Sequence, residues 1–276
     1  MAIALFSALH WAVFDFLRKR LASYYSAAQM SVIFSLLVLP AYVGYWLVAD
    51  KQLPNSDYLT PAIASGILAA IGSVNFIQAL ALGRMAVILP LLSVTPALAG
   101  VFAWLLLGEP LTVLQACLIA VIVAASFLLQ GGRFSFQEPG AKQVAITSVC
   151  WGLCIVFDKQ ALQYSSLSFH AGFLTFMVFV VNFICLRPQF KRQNFKRHGW
   201  LWVLSSLVFA AAVISQMQAL TEIQPGLVEG LKRAIGIVSA SMLGMWFFKE
   251  AISRREWLMI MVILLSSAML AINSGA

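Results

Sequence analysis

Charge is scarce in this sequence. Lysine, arginine, aspartate and glutamate make up only 10% of its 276 residues, where a soluble domain carries about a quarter. Apolar residues fill the gap at 62%. A soluble fold of this length could not bury so much apolar surface, so the solvent is lipid. Lipid offers the backbone no hydrogen-bond partner, which leaves helices or a closed barrel. The short alternating segments of a barrel are also missing. The apolar runs are instead long and continuous, as from Met85 to Leu107 and from Leu258 to Ile272.

Other absences narrow the function. Only four cysteines occur, Cys117, Cys150, Cys154 and Cys185, all inside apolar runs. Cys150 and Cys154 are a helical turn apart, which is neither a redox pair nor a zinc spacing, so they read as small buried hydrophobes. There is no basic segment ahead of the first apolar run, which starts at Ala2, so that run reads as a membrane helix rather than a cleaved signal. Phosphate-binding loops, metal-ligand clusters and nucleophile–base arrangements are missing, which disfavours an ATP-driven pump, a metal or other cofactor, and an enzyme. The net charge of +8 sits between apolar segments rather than among exposed aromatics, so nucleic acid is not an expected partner.

What is present predicts an all-α membrane protein of about ten transmembrane helices. The expected spans are 2–17, 30–48, 61–82, 85–107, 113–130, 143–157, 170–186, 200–219, 225–248 and 257–273. The polar stretch 131–143 divides the chain almost in half. The halves resemble each other when the numbering is shifted by 140: Trp11 meets Trp151, Lys19 meets Lys159, Ser26 meets Ser166, and Gln78-Ala79-Leu80 meets Gln218-Ala219-Leu220. One inserted residue later, Leu107-Gly108-Glu109 meets Phe248-Lys249-Glu250. Two domains are therefore expected, 1–135 and 140–276. Five helices per half is an odd number, so the second repeat enters the membrane inverted, an arrangement suited to alternating access.

These residues resemble the EamA type of the drug/metabolite transporter superfamily along essentially the whole chain. The Trp11 to Lys19 pattern, repeated at Trp151 to Lys159, is similar to that family's first-helix pattern. The stretch from Leu80-Ala81-Leu82 through Pro90 and Thr95-Pro96 to Leu107-Gly108-Glu109-Pro110 resembles its third and fourth helices. Leu231-Lys232-Arg233 through Phe248-Lys249-Glu250 resembles a common second-half variant. The resemblance implies a transporter, in a family whose members carry amino acids, nucleotide sugars, cofactors and drugs.

Candidate site residues follow from charge and amides placed in lipid. Glu229, Lys232 and Arg233 lie a few residues past Pro225, share one helix face and can pair. Two cations against one acid leave a positive charge, either to anchor an anionic or zwitterionic solute or to tether helices. In the first helix, Trp11 and Asp15 share a face. Asp15 could carry a coupling proton or simply pair with Arg18 or Lys19. His10 suits an interior histidine or a proton relay. Asn75 and Gln78, with Gln218 and Ser215 as counterparts, could line a cavity or hold helices together, and Trp151 repeats Trp11. Pro90 and Pro96 can break the fourth helix. Gly236, Ala240 and Gly244 offer a small-residue stripe for close packing. Trp46, Trp104, Trp200, Trp202, Trp246 and Trp257 read as interfacial anchors. Glu109 and Glu250 occupy equivalent helix ends and suit capping or gating.

The expected function is secondary active transport, as an exporter or exchanger, of a small polar or amphiphilic metabolite by alternating access. The site would lie between the repeats near the bilayer midplane. The alternative is an integral membrane enzyme or scaffold acting on lipid-linked substrates. Partners would be the solute, a proton or counter-solute and the lipid bilayer, with the protein a monomer or homodimer. The expected location is multi-pass in the cell membrane, of the bacterial inner-membrane kind. Basic residues concentrate in loops after odd-numbered helices, with only Lys51 and Lys159 in the others. This bias puts those basic loops in the cytoplasm and both termini outside. Members of the family as a rule have both termini in the cytoplasm. A reporter fused after Ala276 should therefore be on the opposite side from one inserted within 187–199. An active cytoplasmic reporter at Ala276 would overturn this orientation.

Overall fold

The computed structural model describes residues 2–49, 51–83, 88–89, 91–129, 139–190, 198–248 and 253–273. Among the described residues ten α-helices carry the fold: α1 (Ala2–Leu21), α2 (Ala27–Ala49), α3 (Leu59–Leu82), α4 (Thr95–Leu107), α5 (Val113–Leu129), α6 (Ala141–Ala161), α7 (Leu167–Leu186), α8 (Gly199–Glu222), α9 (Pro225–Phe248) and α10 (Arg254–Ile272). No strand occurs among the described residues. By length and apolar composition alone, α2, α3, α6, α7 and α8 could cross a membrane. Helices α1, α9 and α10 are of similar length but carry charges, and α4 and α5 are shorter.

Several helices run further than the apolar pattern indicates. The first extends to Leu21 rather than ending at 17, and the sixth covers Ala141–Ala161 rather than 143–157. Arg18, Lys19, Asp158 and Lys159 therefore belong to helices, not loops. Each is answered inside the protein, which is why lipid tolerates it. The two lysines do equivalent work. Lys19 Nζ donates to the carbonyls of Leu80 and Gly83, the latter at 2.7 Å. Lys159 Nζ donates to the carbonyl of Ile223 at 3.3 Å and to Glu109 at 2.8 Å. Each lysine of a first-in-repeat helix thus caps the carbonyl end of the third helix of its own repeat.

The fourth helix is interrupted. Its continuous part starts at Thr95, behind a single 3-10 turn at Leu92–Val94. Pro96 sits in the first turn of α4, where its missing N–H costs nothing. The Pro90 kink, Arg84, Glu250, the linker at 131–138 and the basic stretch 191–197 lie outside the described residues. So do the side chains of Ala240, Gly244 and Trp246. No neighbour approaches within 4 Å of a methyl placed on Gly236. Trp202 is not an interfacial anchor: it is fully buried against Tyr25 and Phe34. Trp104, Trp200 and Trp257 are exposed, as membrane-edge tryptophans are.

Helix starts repeat between the halves. Ser26 and Gln29 exchange side-chain and backbone hydrogen bonds ahead of α2, and Ser166 caps α7 through the Phe169 N–H. Thr112 and Gln115 make the same reciprocal box ahead of α5, and Ser253 and Glu256 make it ahead of α10. These boxes are 141 residues apart, so the repeat register holds into the fifth helix.

Packing obeys the same exchange of halves. Helix α1 packs on α8 and α9, and α6 packs on α3 and α4. The pairs α2–α7, α4–α9 and α5–α10 each face their own counterparts. Two interleaved five-helix repeats are the result. At the α4–α9 crossing the backbones meet closely. A methyl placed on Gly226 would lie 3.0 Å from Gly100 Cα and 3.3 Å from the Pro96 carbonyl oxygen. Backbone atoms cannot turn aside, so Gly226→Leu is expected to destabilise the fold by about 1–3 kcal/mol or more through overpacking. Thermal unfolding in detergent should show a lowered midpoint for it. An unchanged midpoint would mean the crossing is loose.

Candidate functional site

A cavity of about 120 Å³ lies between the two repeats, walled by α1, α2, α3, α6, α7, α8 and α9. One water needs only about 10–15 Å³ of such space, so the cavity has room for several. Its wall is largely aromatic and aliphatic, including Trp11, Phe14, Phe34, Trp151 and Phe209. The polar exceptions are Arg18, Asp158, Glu229, Lys232, Gln216 and a few hydroxyls, among them Ser31, Ser35, Ser73 and Thr175.

Helix α9 brings the densest charge. Glu229 forms an ion pair with Lys232 three residues on, and accepts from Arg233 Nε at 3.3 Å. All three are buried. Lys232 Nζ also donates to Gln216 on α8 at 3.0 Å. It lies 5.0 Å from the Trp11 ring and 5.9 Å from the Trp151 ring, while Arg233 lies 5.5 Å from Trp151. One carboxylate answers two cations, and the two repeat-related tryptophans shield the surplus charge with their π faces. Glu229 and Lys232 line the cavity, whereas Arg233 stands behind them.

Helix α1 brings a second pair. Asp15 is bound to Arg18, so it does not neutralise the Lys232 and Arg233 pair directly. The Arg18 guanidinium sits 4.4 Å from the Phe14 ring and 4.6 Å from the Phe76 ring. Its Nε and the Trp11 indole N–H are buried without a hydrogen-bond partner. Both residues line the cavity.

Of the residues singled out from sequence, Trp11, Trp151, Glu229 and Lys232 share the cavity wall. Asp15 and Arg233 lie one contact behind it. Four others are not among its lining residues: His10 donates to the Phe6 carbonyl at 2.8 Å, Asn75 to the Ile71 carbonyl at 2.9 Å, Gln218 reaches Thr221 at 3.4 Å, and Gln78 is exposed. The pattern reading overlooked Asp158, took Arg18 only as a partner for Asp15, and noted Gln216 only as a neighbour of Gln218 and Ser215. The signal for Arg18 and Asp158 was available, since a shift of 140 superposes Arg18 on Asp158 as it does Trp11 on Trp151.

The description of the EamA-like transporter family matches this chain twice, over residues 1–130 and 139–272. An uncharacterized protein of Methanocaldococcus jannaschii, MJ1333.1, is 32% identical over 100 residues, which is 36% of this chain and 69% of that protein. A solved crystal structure superposes on 99% of this chain and 96% of its own with a TM-score of 0.75 at 17% identity, a likeness of fold.

Removing the shared acid would leave two buried cations facing each other. Breaking such a buried pair costs about 3–5 kcal/mol. Glu229→Gln is therefore expected to lower the unfolding temperature far more than Asn75→Ala, Gln78→Ala or Gln218→Ala, measured by tryptophan fluorescence of the purified protein. Equal small effects in all four would show that the triad does not brace α9.

Proposed function

Because the chain belongs to the EamA-like transporter family, we propose that it is a secondary active transporter, an exporter or exchanger, of a small amphiphilic metabolite that it carries by alternating access. The chain is a multi-pass membrane protein, and the proposed setting is a bacterial inner membrane. The observation that carries the reading is the cavity between the repeats. It has an apolar aromatic body and a cationic edge at Lys232. Such a wall fits a solute with an apolar frame and an acceptor group such as a carboxylate. The inverted repeats supply the moving parts, since exchanging the conformations of two similar halves opens one site to either side. In this reading Lys232 attracts the acceptor group, Trp11 and Trp151 stack on the frame, and Glu229 and Arg233 keep Lys232 in place.

A thermal-shift screen of the purified protein against metabolite and drug libraries should find stabilising ligands. The stabilisation grows as RT ln(1 + [L]/Kd), about 2.7 kcal/mol at a hundredfold excess over Kd. Lys232→Ala should lose that response, and transport of the ligand found, while still yielding folded protein in the membrane. Lys232→Ala protein that folds and responds as the wild type does would remove Lys232 from the site.

A further inference from the structure

A second buried titratable cluster stands apart from the Glu229 triad. His170, in the first turn of α7, is fully buried. Its Nε2 lies 3.1 Å from Asp158 Oδ1, and its Nδ1 lies 3.0 Å from the Tyr58 hydroxyl. Tyr58 is also fully buried, held by the 3-10 turn Ser56–Tyr58 ahead of α3. Beside Tyr58, Ser165 is half-buried in the turn between α6 and α7, where its hydroxyl donates to the Ala161 carbonyl at 3.3 Å. At the other end Asp158 lines the central cavity. It accepts from the Ser65 hydroxyl, and the Cys154 thiol points at its Oδ2 from 3.7 Å. Hydrogen-bonding groups thus run without a break from Tyr58 through His170 to the cavity wall, with Ser165 beside Tyr58 at the α6–α7 turn.

The charges around this line are sparse. Helix α6 contributes Asp158 and Cys154. The neighbouring Lys159 turns away to Glu109. Helix α3 contributes only the Ser65 hydroxyl, and α2 contributes Tyr42, whose hydroxyl donates to the Ala210 carbonyl. Helix α8 contributes uncharged Gln216, its Glu222 being exposed. Lys232 of α9 lines the same cavity. Glu229 already answers two cations, whereas among the described residues Asp158 has no lysine or arginine within ion-pair distance. A histidine is the group suited to partner such an acid part of the time, because its charge changes in the physiological range.

We infer that His170 and Asp158 together bind the coupling proton of the transport cycle, with Tyr58 and Ser165 as its path from one membrane face. The coupling role rests on the transporter reading above. A tyrosine hydroxyl is a donor, so with neutral His170 it donates to Nδ1 while the imidazole holds its own proton on Nε2 toward Asp158. An arriving proton forms one new N–H bond at Nδ1. The imidazolium then donates to Asp158 through Nε2 and to the Tyr58 oxygen through Nδ1, and the Tyr58 O–H turns to Ser165. Release reverses these steps and returns the proton to water. Each event changes the charge at the cavity wall by one unit, so occupancy by proton and by a charged solute are linked, reciprocally.

The experiment uses the full chain in lipid nanodiscs, with the proton itself as probe. Among three histidines, His10, His170 and His198, the nitrogen-15 imidazole signals of His170 are identified by their loss in His170→Gln. They should pass from imidazolium to neutral positions over the same pH range in which the pH-jump current appears. Asp158→Asn should move that passage to lower pH, because the imidazolium loses its counter-charge. In proteoliposomes on a supported membrane, a pH jump without solute should give a transient current in the wild type. His170→Gln should lose it and Tyr58→Phe should slow it. Should His170→Gln fail to fold, Asp158→Asn carries the same test. A His170 locked in one state at every pH, or a current unchanged in the variants, would overturn the assignment. The two readings fail separately. A pH-jump current with no ligand in the screen removes the transported solute but keeps the proton site. A ligand-responsive protein with no such current does the opposite.

Discussion

Lipid cannot hydrate a charge, and the arrangement of the buried side chains follows from that constraint. Isolated ions in hydrocarbon are expensive, so every buried ionic group described here is tied to another group of this chain. Glu229 holds Lys232 and Arg233, Asp15 holds Arg18, and Asp158 meets His170. Lys19 and Lys159 spend their charge on helix ends. These ties cross between elements as well as run along them, and they converge on the space between the repeats. The same groups that make the fold tolerable in lipid therefore build the polar part of the cavity.

The repeat supplies positions, and the sequence then differentiates them. Trp11 and Trp151 remain alike and face the same cations. Ser35 and Thr175 remain alike as hydroxyls on the cavity wall. Arg18 and Asp158 occupy equivalent places with opposite charge, giving a dipolar cavity within a nearly symmetric frame. A frame of two similar halves makes the two end states of alternating access similar in energy. A dipolar lining within it gives a solute one preferred orientation.

Much of this was legible in the sequence, and the boundary of legibility has a physical cause. Composition settles the solvent, and apolar runs settle the number of helices. The spacing of Glu229, Lys232 and Arg233 already implies the pairing seen, because partners three and four apart need no tertiary information. Arg18, Asp158 and His170 were harder. Each lies at the edge of an apolar run, where a charge reads as the membrane boundary. Only contacts between distant segments show that the helix continues: Tyr58 with His170 spans 112 residues, and Lys19 with Gly83 spans 64. Likewise Trp202 looks like an anchor until Tyr25 and Phe34 are seen to enclose it. The capping boxes at Thr112 and Ser253 were visible as short motifs, and would have drawn the last helix three residues earlier.

The crossing of α4 with α9 bears on how much charge the repeats hold between them. These helices are counterparts that pack against each other. The stretch of the first repeat that matches Glu229 to Arg233, residues 88–93, carries no charge. A second triad there would double the surplus positive charge buried between the repeats, so the difference between the halves at this place holds that surplus to one unit.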